Sequence, residues 1–298
     1  MHFYRLYGLI FQSAFQIINL AELSSVTQEP DVTIERVSDG NISDYVPSEV
    51  AQKPIAIQMG QSSALVYLKN TGVFMVQGGC KIILVTTQNP QQEHICQALL
   101  GVVLAILFHQ RGSFILHAST VAIGETAVAF LGDSGAGKSS ALAAMITQGF
   151  VGVTDDLTAI QICSGQALIQ AGVPRMKLSA AVADRLELAR ANTLSDEESI
   201  FYFSSSNNLE PFPLQRLYIL DYGPNWSIRP ISQQRAIIEL LRFSGLKSVL
   251  PIRNRHHFRH VSQLTTCVGV YQLQRPQGLD QLSQLPKFLK DHIREYPL

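Results

Sequence analysis

The sequence predicts an α/β protein in which a core built round a phosphate-binding loop follows a β-rich N-terminal domain. Three observations predict it. The first is the run Gly132-Asp133-Ser134-Gly135-Ala136-Gly137-Lys138-Ser139, a full G-x-x-x-x-G-K-[ST] pattern. The second is its setting: an apolar run, Ala127 to Leu131, comes before it, and an Ala- and Leu-rich run, Ser139 to Thr147, comes after. The third is a series of short β-like runs, separated by polar or glycine turns, between residues 30 and 90.

Taken in order, Met1 to Leu20 is rich in apolar residues but is interrupted by Gln12, Ser13 and Gln16. No continuous apolar core precedes a small-residue cleavage site, so the segment reads as strand, with Phe3, Leu6 and Leu9 partly buried. Val32-Thr33-Ile34, Ile55-Ala56-Ile57, Ala64 to Tyr67, Val73 to Val76 and Lys81 to Val85 predict a small antiparallel sheet. Its role is to present a substrate or to support the core. Ala98 to Phe108 is the most apolar stretch, eleven residues long and short of a bilayer's thickness. With Ile95 and Cys96 before it and Arg111-Gly112 after it, it predicts a buried helix. That helix closes a first domain, 1–110, and the second domain covers 111–298.

Phe114 to Leu116 leads into His117-Ala118-Ser119 and Val121 to Ile123, and Gly124-Glu125-Thr126 supplies a turn. The pattern predicts a hairpin that delivers the loop. In such a loop the glycines let the backbone turn its N–H groups inward, and the following helix points its N-terminus at the same anion. Lys138 would reach the outer phosphates, and the Ser139 hydroxyl would bind Mg²⁺. Gly149 is placed to stop the helix. Val151 to Thr154 then runs into Asp155-Asp156, seventeen residues after Lys138 at its first carboxylate. That is room for a helix, a turn and a strand returning beside the first, which would set both carboxylates next to the loop. One would hold Mg²⁺ and the other would take a proton from an attacking hydroxyl. A Thr-Asp-Asp turn opening a loop is the alternative. His117 joins them only if its hairpin packs beside the central sheet.

Beyond Asp156 the chain keeps alternating. Gly172 to Leu178 predicts a loop, followed by a helix from Ser179 to about Arg190 with Ser179 as its cap. Arg175 and Lys177 would close on phosphates, or lie solvated on the surface. Ala191 to Glu210 is polar and predicts a mobile loop. Leu217 to Leu220 predicts a strand, Ser232 caps a helix carrying Ile237, Ile238, Leu240 and Leu241, and Cys267 to Leu273 predicts another strand. Leu279 to His292 is helical in pattern, with Pro286 breaking or kinking it. Arg253 to His260 is the one basic cluster. His256 and His260 share a helix face, but no third or fourth ligand accompanies them, which argues against a metal site. A solvated helix start and a contact for an acidic peptide or a phosphate are the other readings.

The 298 residues carry 23 basic and 23 acidic side chains, so no global basic field argues for nucleic acid. Cys80, Cys96, Cys163 and Cys267 lie far apart, with neither metal spacing nor a disulfide framework, and a reducing cytoplasm is the expected compartment, without a membrane anchor.

The order His117-Ala118-Ser119, then Gly132 to Ser139, then Asp155-Asp156 resembles the C-terminal catalytic domain of HPr kinase/phosphorylase. That fold is related to phosphoenolpyruvate carboxykinase. The chain is similar over nearly its full length to the HPr-kinase-like proteins of lasso-peptide and related peptide-modification clusters. The shared parts are the β-rich N-terminal region, Leu-Phe-His-Gln-Arg-Gly at 107–112, the Leu-His-Ala-Ser run, and Pro-Arg-Met-Lys-Leu at 174–178. The resemblance implies a P-loop kinase that passes the γ-phosphate of ATP, with Mg²⁺, to a serine hydroxyl of a protein or ribosomally made peptide. It implies Asp155 as the base, His117 as an active-site residue that orients Asp155 or the incoming phosphate, and Lys138 as the catalytic cation. Nucleotide would lie on Gly132, Asp133, Ser134, Gly135, Ala136, Gly137, Lys138, Ser139, Ser140 and Arg175, and Mg²⁺ on Ser139 and Asp156. A nucleotide-gated binding module is the second reading, and a homo-oligomer is left open.

Overall fold

The computed structural model describes residues 1–37, 41–86, 90–188, 192–193, 198–204, 210–245 and 255–296. The chain forms two compact units, the first spanning Met1–Ile115 and the second Leu116–Gly245 with the residues from 255 onward.

The first unit is a seven-stranded mixed sheet with helices. Its strands are β1 (His2–Leu6), β2 (Leu9–Ser13), β3 (Val32–Val37), β4 (Ile55–Met59), β5 (Ser63–Leu68), β6 (Gly72–Gln77) and β7 (Lys81–Thr86), in the order β1-β2-β3-β7-β6-β5-β4. Alternation drives each strand: in β3, Val32 and Ile34 are buried while Glu35 points out. The sheet is not the purely antiparallel one expected, because β3 pairs parallel with both β2 and β7. Every apolar run of this unit expected as strand contains one. A short helix α1 (Ser48–Ala51) precedes β4.

The apolar stretch that follows is longer than the eleven residues expected. It runs as α2 (Gln92–Ala98), a π-helical turn (Leu99–Val103) and α3 (Leu104–Gln110). Gly101, at φ −113° and ψ −105°, kinks the turn. By length and composition Gln92–Gln110 would cross a membrane, yet most of it is buried within the protein, as in a core helix. Leu99, Val103, Ile106 and Leu107 are fully enclosed.

β8 (Phe114–Leu116) straddles the boundary, and the second unit continues with β9 (Ser119–Ile123) and β10 (Thr126–Leu131). Gly124, at φ 64°, takes the left-handed conformation that closes the β9–β10 hairpin. Then come α4 (Lys138–Thr147), β11 (Val151–Thr154), β12 (Thr158–Cys163), β13 (Gln166–Ile169), β14 (Arg175–Ser179), α5 (Ala180–Arg185), β15 (Asn192–Thr193), β16 (Glu198–Tyr202), β17 (Phe212–Tyr222), β18 (Ser227–Pro230), α6 (Gln233–Arg242), α7 (Arg255–Cys267), β19 (Gly269–Arg275) and α8 (Leu285–Glu295). Across the main sheet, β11, β9, β10 and β17 are neighbours in that order, and β19 joins on β17. β10, β17 and β19 are mutually parallel. Their carboxyl ends, at Leu131, Tyr222 and Arg275, therefore lie together.

The core beneath is contributed by Val128 and Phe130 of β10, Tyr218 and Leu220 of β17, Leu273 of β19, and Leu285 and Leu289 of α8, all against α4. Ala141, Ala143 and Ala144 are buried, and their small side chains let α4 lie close to the sheet.

Several sequence expectations are revised here. β11 does not lie beside β10, because β9 runs between them, antiparallel to both. Residues 175–178 form a strand instead of a loop, and β14 heads a three-stranded sheet β14-β16-β15. α5 is shorter than expected, but Ser179 does cap it, its hydroxyl accepting from the Val182 N–H. The segment expected as a mobile loop contains β15 and β16; its remaining parts lie largely outside the described residues. Cys267 ends α7 and does not begin a strand. Pro286 sits at the start of α8, where its missing N–H costs nothing, after a 3₁₀ turn (Leu279–Gln284). Of the basic cluster, Arg253 and Asn254 and the side chains of Arg255 and His256 lie outside the described residues.

Candidate functional site

At the carboxyl end of β10 the chain turns through 132–137 into α4. Gly137 is the N-cap of that helix at φ 90°, a conformation costly for any residue with a Cβ. Ala136 donates its backbone N–H to Asp133 O at 3.1 Å, drawing the loop tight, and Ser134 and Gly135 are exposed. Lys138 is buried at 8% exposure, and its Nζ donates to Gly132 O at 3.0 Å and to Asp133 O at 3.1 Å. Burial pulls its ammonium below the ordinary lysine value, against the opposing pull of Asp156, Asp155 and Asp133. The Asp133 carboxylate is paired with Arg242 at the end of α6. Ser139 and Ser140 lie half-buried on the first turn of α4.

The two carboxylates end β11 and occupy opposite environments. Asp155 is 8% exposed. Its Oδ1 accepts from Ser119 Oγ at 2.5 Å and from Ser139 Oγ at 3.0 Å, and among the described residues no hydrogen bond of good geometry reaches its buried Oδ2, the Lys177 N–H lying only nearby. Burial, reinforced by the charge of Asp156, pushes its carboxyl up to about 7 despite the two serine hydroxyls and the Lys177 N–H. A chain of hydroxyls fixes the surrounding strands: Thr154 and Thr120 both meet Thr158, at 2.7 and 3.0 Å, and Thr158 donates to Ala118 O at 3.1 Å. Asp156 takes φ 64°, the left-handed region an aspartate tolerates better than most residues, and this turns its side chain the other way. It is about half exposed and meets His117 Nε2 at 3.3 Å. That hydrogen bond, with the charges of His117, Lys177 and Lys138, holds Asp156 below the usual carboxylate range in spite of desolvation. The backbone N–H of His117 donates to Phe243 O at 2.9 Å, tying the β8–β9 junction to the end of α6.

The structure thus gathers Lys138, Ser139, Asp155, Asp156 and His117 at one end of the sheet. It pairs them differently from the expectation. Ser139, expected to share a metal with Asp156, bonds to Asp155; His117, expected to orient Asp155 or the incoming phosphate, bonds to Asp156. The difference follows from β9, which threads between β10 and β11 and carries Ser119 against Asp155. Arg175 is half-buried on β14, and the charge from that strand that acts on Asp156 is Lys177, on the same face. Ser119, Arg242, Tyr222 and Arg275 were not expected at the site. Only Ser119 had a nearby signal, in its place beside His117. Among the described residues no cluster of three or more His, Cys, Asp and Glu side chains is arranged to hold a metal.

No family model matches the chain, and no curated protein does. Among solved structures the chain is similar to the Hpr(Ser) kinase/phosphatase from Coxiella burnetii, at 12% identity and a TM-score of 0.32, over 61% of this chain and 97% of that one.

Proposed function

We propose that the second unit binds ATP on the 132–140 loop and transfers its γ-phosphate to a hydroxyl, that of a serine in a protein or ribosomally made peptide. The observation that carries this reading is the buried Asp155 carboxylate, with Ser119 and Ser139 on one oxygen and, among the described residues, no hydrogen bond to the other. A buried carboxylate oxygen without a partner is costly unless a cation completes it. Mg²⁺ takes hard oxygen ligands from one or two protein groups and from phosphates, and Ser139 Oγ with the Asp155 carboxylate fits that description. When bound, Mg²⁺ would neutralise charge on the transferring phosphate.

In this reading Lys138 leaves the carbonyls of Gly132 and Asp133 for the outer phosphates, and the loop N–H groups and the α4 N-terminus cradle the rest. The two carboxylates exchange the roles expected from sequence. A peptide hydroxyl cannot reach the enclosed Asp155, but Asp156 is open to it. Asp156, ionised and oriented by His117, receives the hydroxyl's proton as phosphate arrives. Lys177 and Arg175 share the face of β14 from which the anionic transition state would gain positive charge.

A nucleotide-gated binding module would use the same loop but has no need of an open carboxylate–imidazole pair, which favours the enzyme. The test is calorimetric titration of Mg²⁺-ATP. The parent binds, and Lys138→Ala weakens binding at least about a hundredfold by removing the charge on the outer phosphates. Parent-like binding by Lys138→Ala overturns the phosphate-loop reading. ATP binding without transfer to any of a panel of serine peptides leaves the binding module as the better account.

A further inference from the structure

Arg275 ends β19 and is 4% exposed. Its guanidinium lies against the glycine loop: a Cβ placed on Gly137 would stand 2.6 Å from one terminal nitrogen. That nitrogen donates to Tyr222 Oη at 3.2 Å, and the guanidinium carbon lies 4.7 Å from the centre of the Tyr222 ring. Tyr222 Oη donates in turn to Gly135 O at 3.4 Å. The other terminal nitrogen is buried without a partner. Among the described residues, the partners of the Arg275 guanidinium are thus a phenol and a ring face, and neither carries a negative charge to balance its own.

A buried cation without an anion is costly, and proteins keep one where an anion arrives to match it. Here the cation touches the N-cap of α4, a helix of ten residues whose N-terminus already favours negative charge. Gly137 makes the approach possible, since any side chain there would drive the guanidinium away. The carboxyl ends of β10, β17 and β19 converge on this point, the place where an open α/β sheet takes its ligand.

We propose that Arg275 is a second phosphate anchor, a positioning residue that holds the loop through Tyr222 and Gly137 and supplies the buried positive charge by which the site prefers triphosphates to monophosphates. This rests on the phosphate-loop reading above. An arginine suits the place because its planar fork can bond the tyrosine, stack on its ring and still present a free N–H edge to an anion.

The experiment measures dissociation constants of ATP, ADP and AMP by calorimetry, at fixed Mg²⁺, for the parent, Arg275→Met, Arg275→Lys and Lys138→Ala. Arg275→Met keeps volume and removes charge. It is expected to weaken ATP by about tenfold or more, ADP by less and AMP by at most about threefold, the loss of one charge-assisted contact. Arg275→Lys is expected to keep most of the ATP-over-AMP preference. A loss in Arg275→Met that is equal for all three nucleotides makes Arg275 a structural prop and overturns the proposal, as does no loss at all. Should Arg275→Met not fold, Arg275→Gln is read by the same ratio. Loss of binding in Lys138→Ala with an unaltered ratio at Arg275 sinks only this proposal. Unaltered binding in Lys138→Ala sinks the phosphate-loop reading first.

Discussion

Both units are built on mixed sheets with helices and carry exposed ion pairs, yet among the described residues only the second buries charged side chains. In the first, the ion pairs lie on the outside: Lys81 meets Glu35 across β7 and β3 at 2.8 Å, with both side chains well exposed, and His2 meets Glu22 at the edge. In the second, Lys138, Asp155 and Arg275 are each less than a tenth exposed and gather where three parallel strands end. Exposed pairs contribute little to stability. Buried, incompletely paired charges lower stability and persist where a ligand completes them. Burial alone does not mark the machinery, since among the described residues Arg216 of β17 is 1% exposed with two unpartnered nitrogens and bonds Tyr296 O away from the loop; burial at the strand ends does.

The sharpest way to break this contrast is at Asp155. A carboxyl that stands at about 7 in the folded chain and at 3.8 unfolded binds its proton more tightly when folded. Its contribution therefore becomes unfavourable as pH rises from about 4 to 7, and the whole penalty is present above 7. Asn carries no such penalty. Without Mg²⁺, Asp155→Asn is expected to raise the thermal midpoint at pH 8 by about 5 °C, and to leave it nearly unchanged at pH 4. Calorimetric scans at the two pH values check this. A lower midpoint at pH 8 would mean that the serine hydroxyls outweigh desolvation.

The smallest effect is expected in the first unit. Lys81→Ala removes an exposed cross-strand pair and should change stability by at most about 0.5 kcal/mol, measured by urea unfolding, and leave nucleotide binding unchanged. A loss of binding there would show that the first unit takes part in the site.

What the sequence makes legible is what is local. The strand, the glycine turn and the helix of 127–147 follow from residue types within twenty positions, and so do the caps Ser179 and Ser232. The ending of a strand near Asp155 is legible for the same reason. Long-range pairing is not. Nothing in the residues says that β9 runs between β10 and β11, and that placement decides which aspartate meets Ser139. Nothing local says that β3 pairs parallel on both sides. Pro174-Arg175-Met176-Lys177-Leu178 carries a period of two, with Met176 and Leu178 buried, but its leading proline also suits a loop. Arg275 and Tyr222 reach the loop from strands far along the chain, joined to it only by the folded sheet.

The central claim is the division of labour between two adjacent carboxylates, and single-turnover transfer from labelled ATP to serine peptides, run across a range of Mg²⁺ concentrations, tests it most directly. Asp155→Asn is expected to need at least about tenfold more Mg²⁺ and to recover much of the parent rate when it is supplied, because it weakens metal binding. Asp156→Asn is expected to stay about a hundredfold slower at every Mg²⁺ concentration, because it cannot accept the hydroxyl's proton. The opposite pattern, with Asp156→Asn rescued by Mg²⁺ and Asp155→Asn slow throughout, would contradict the division and return the base to Asp155.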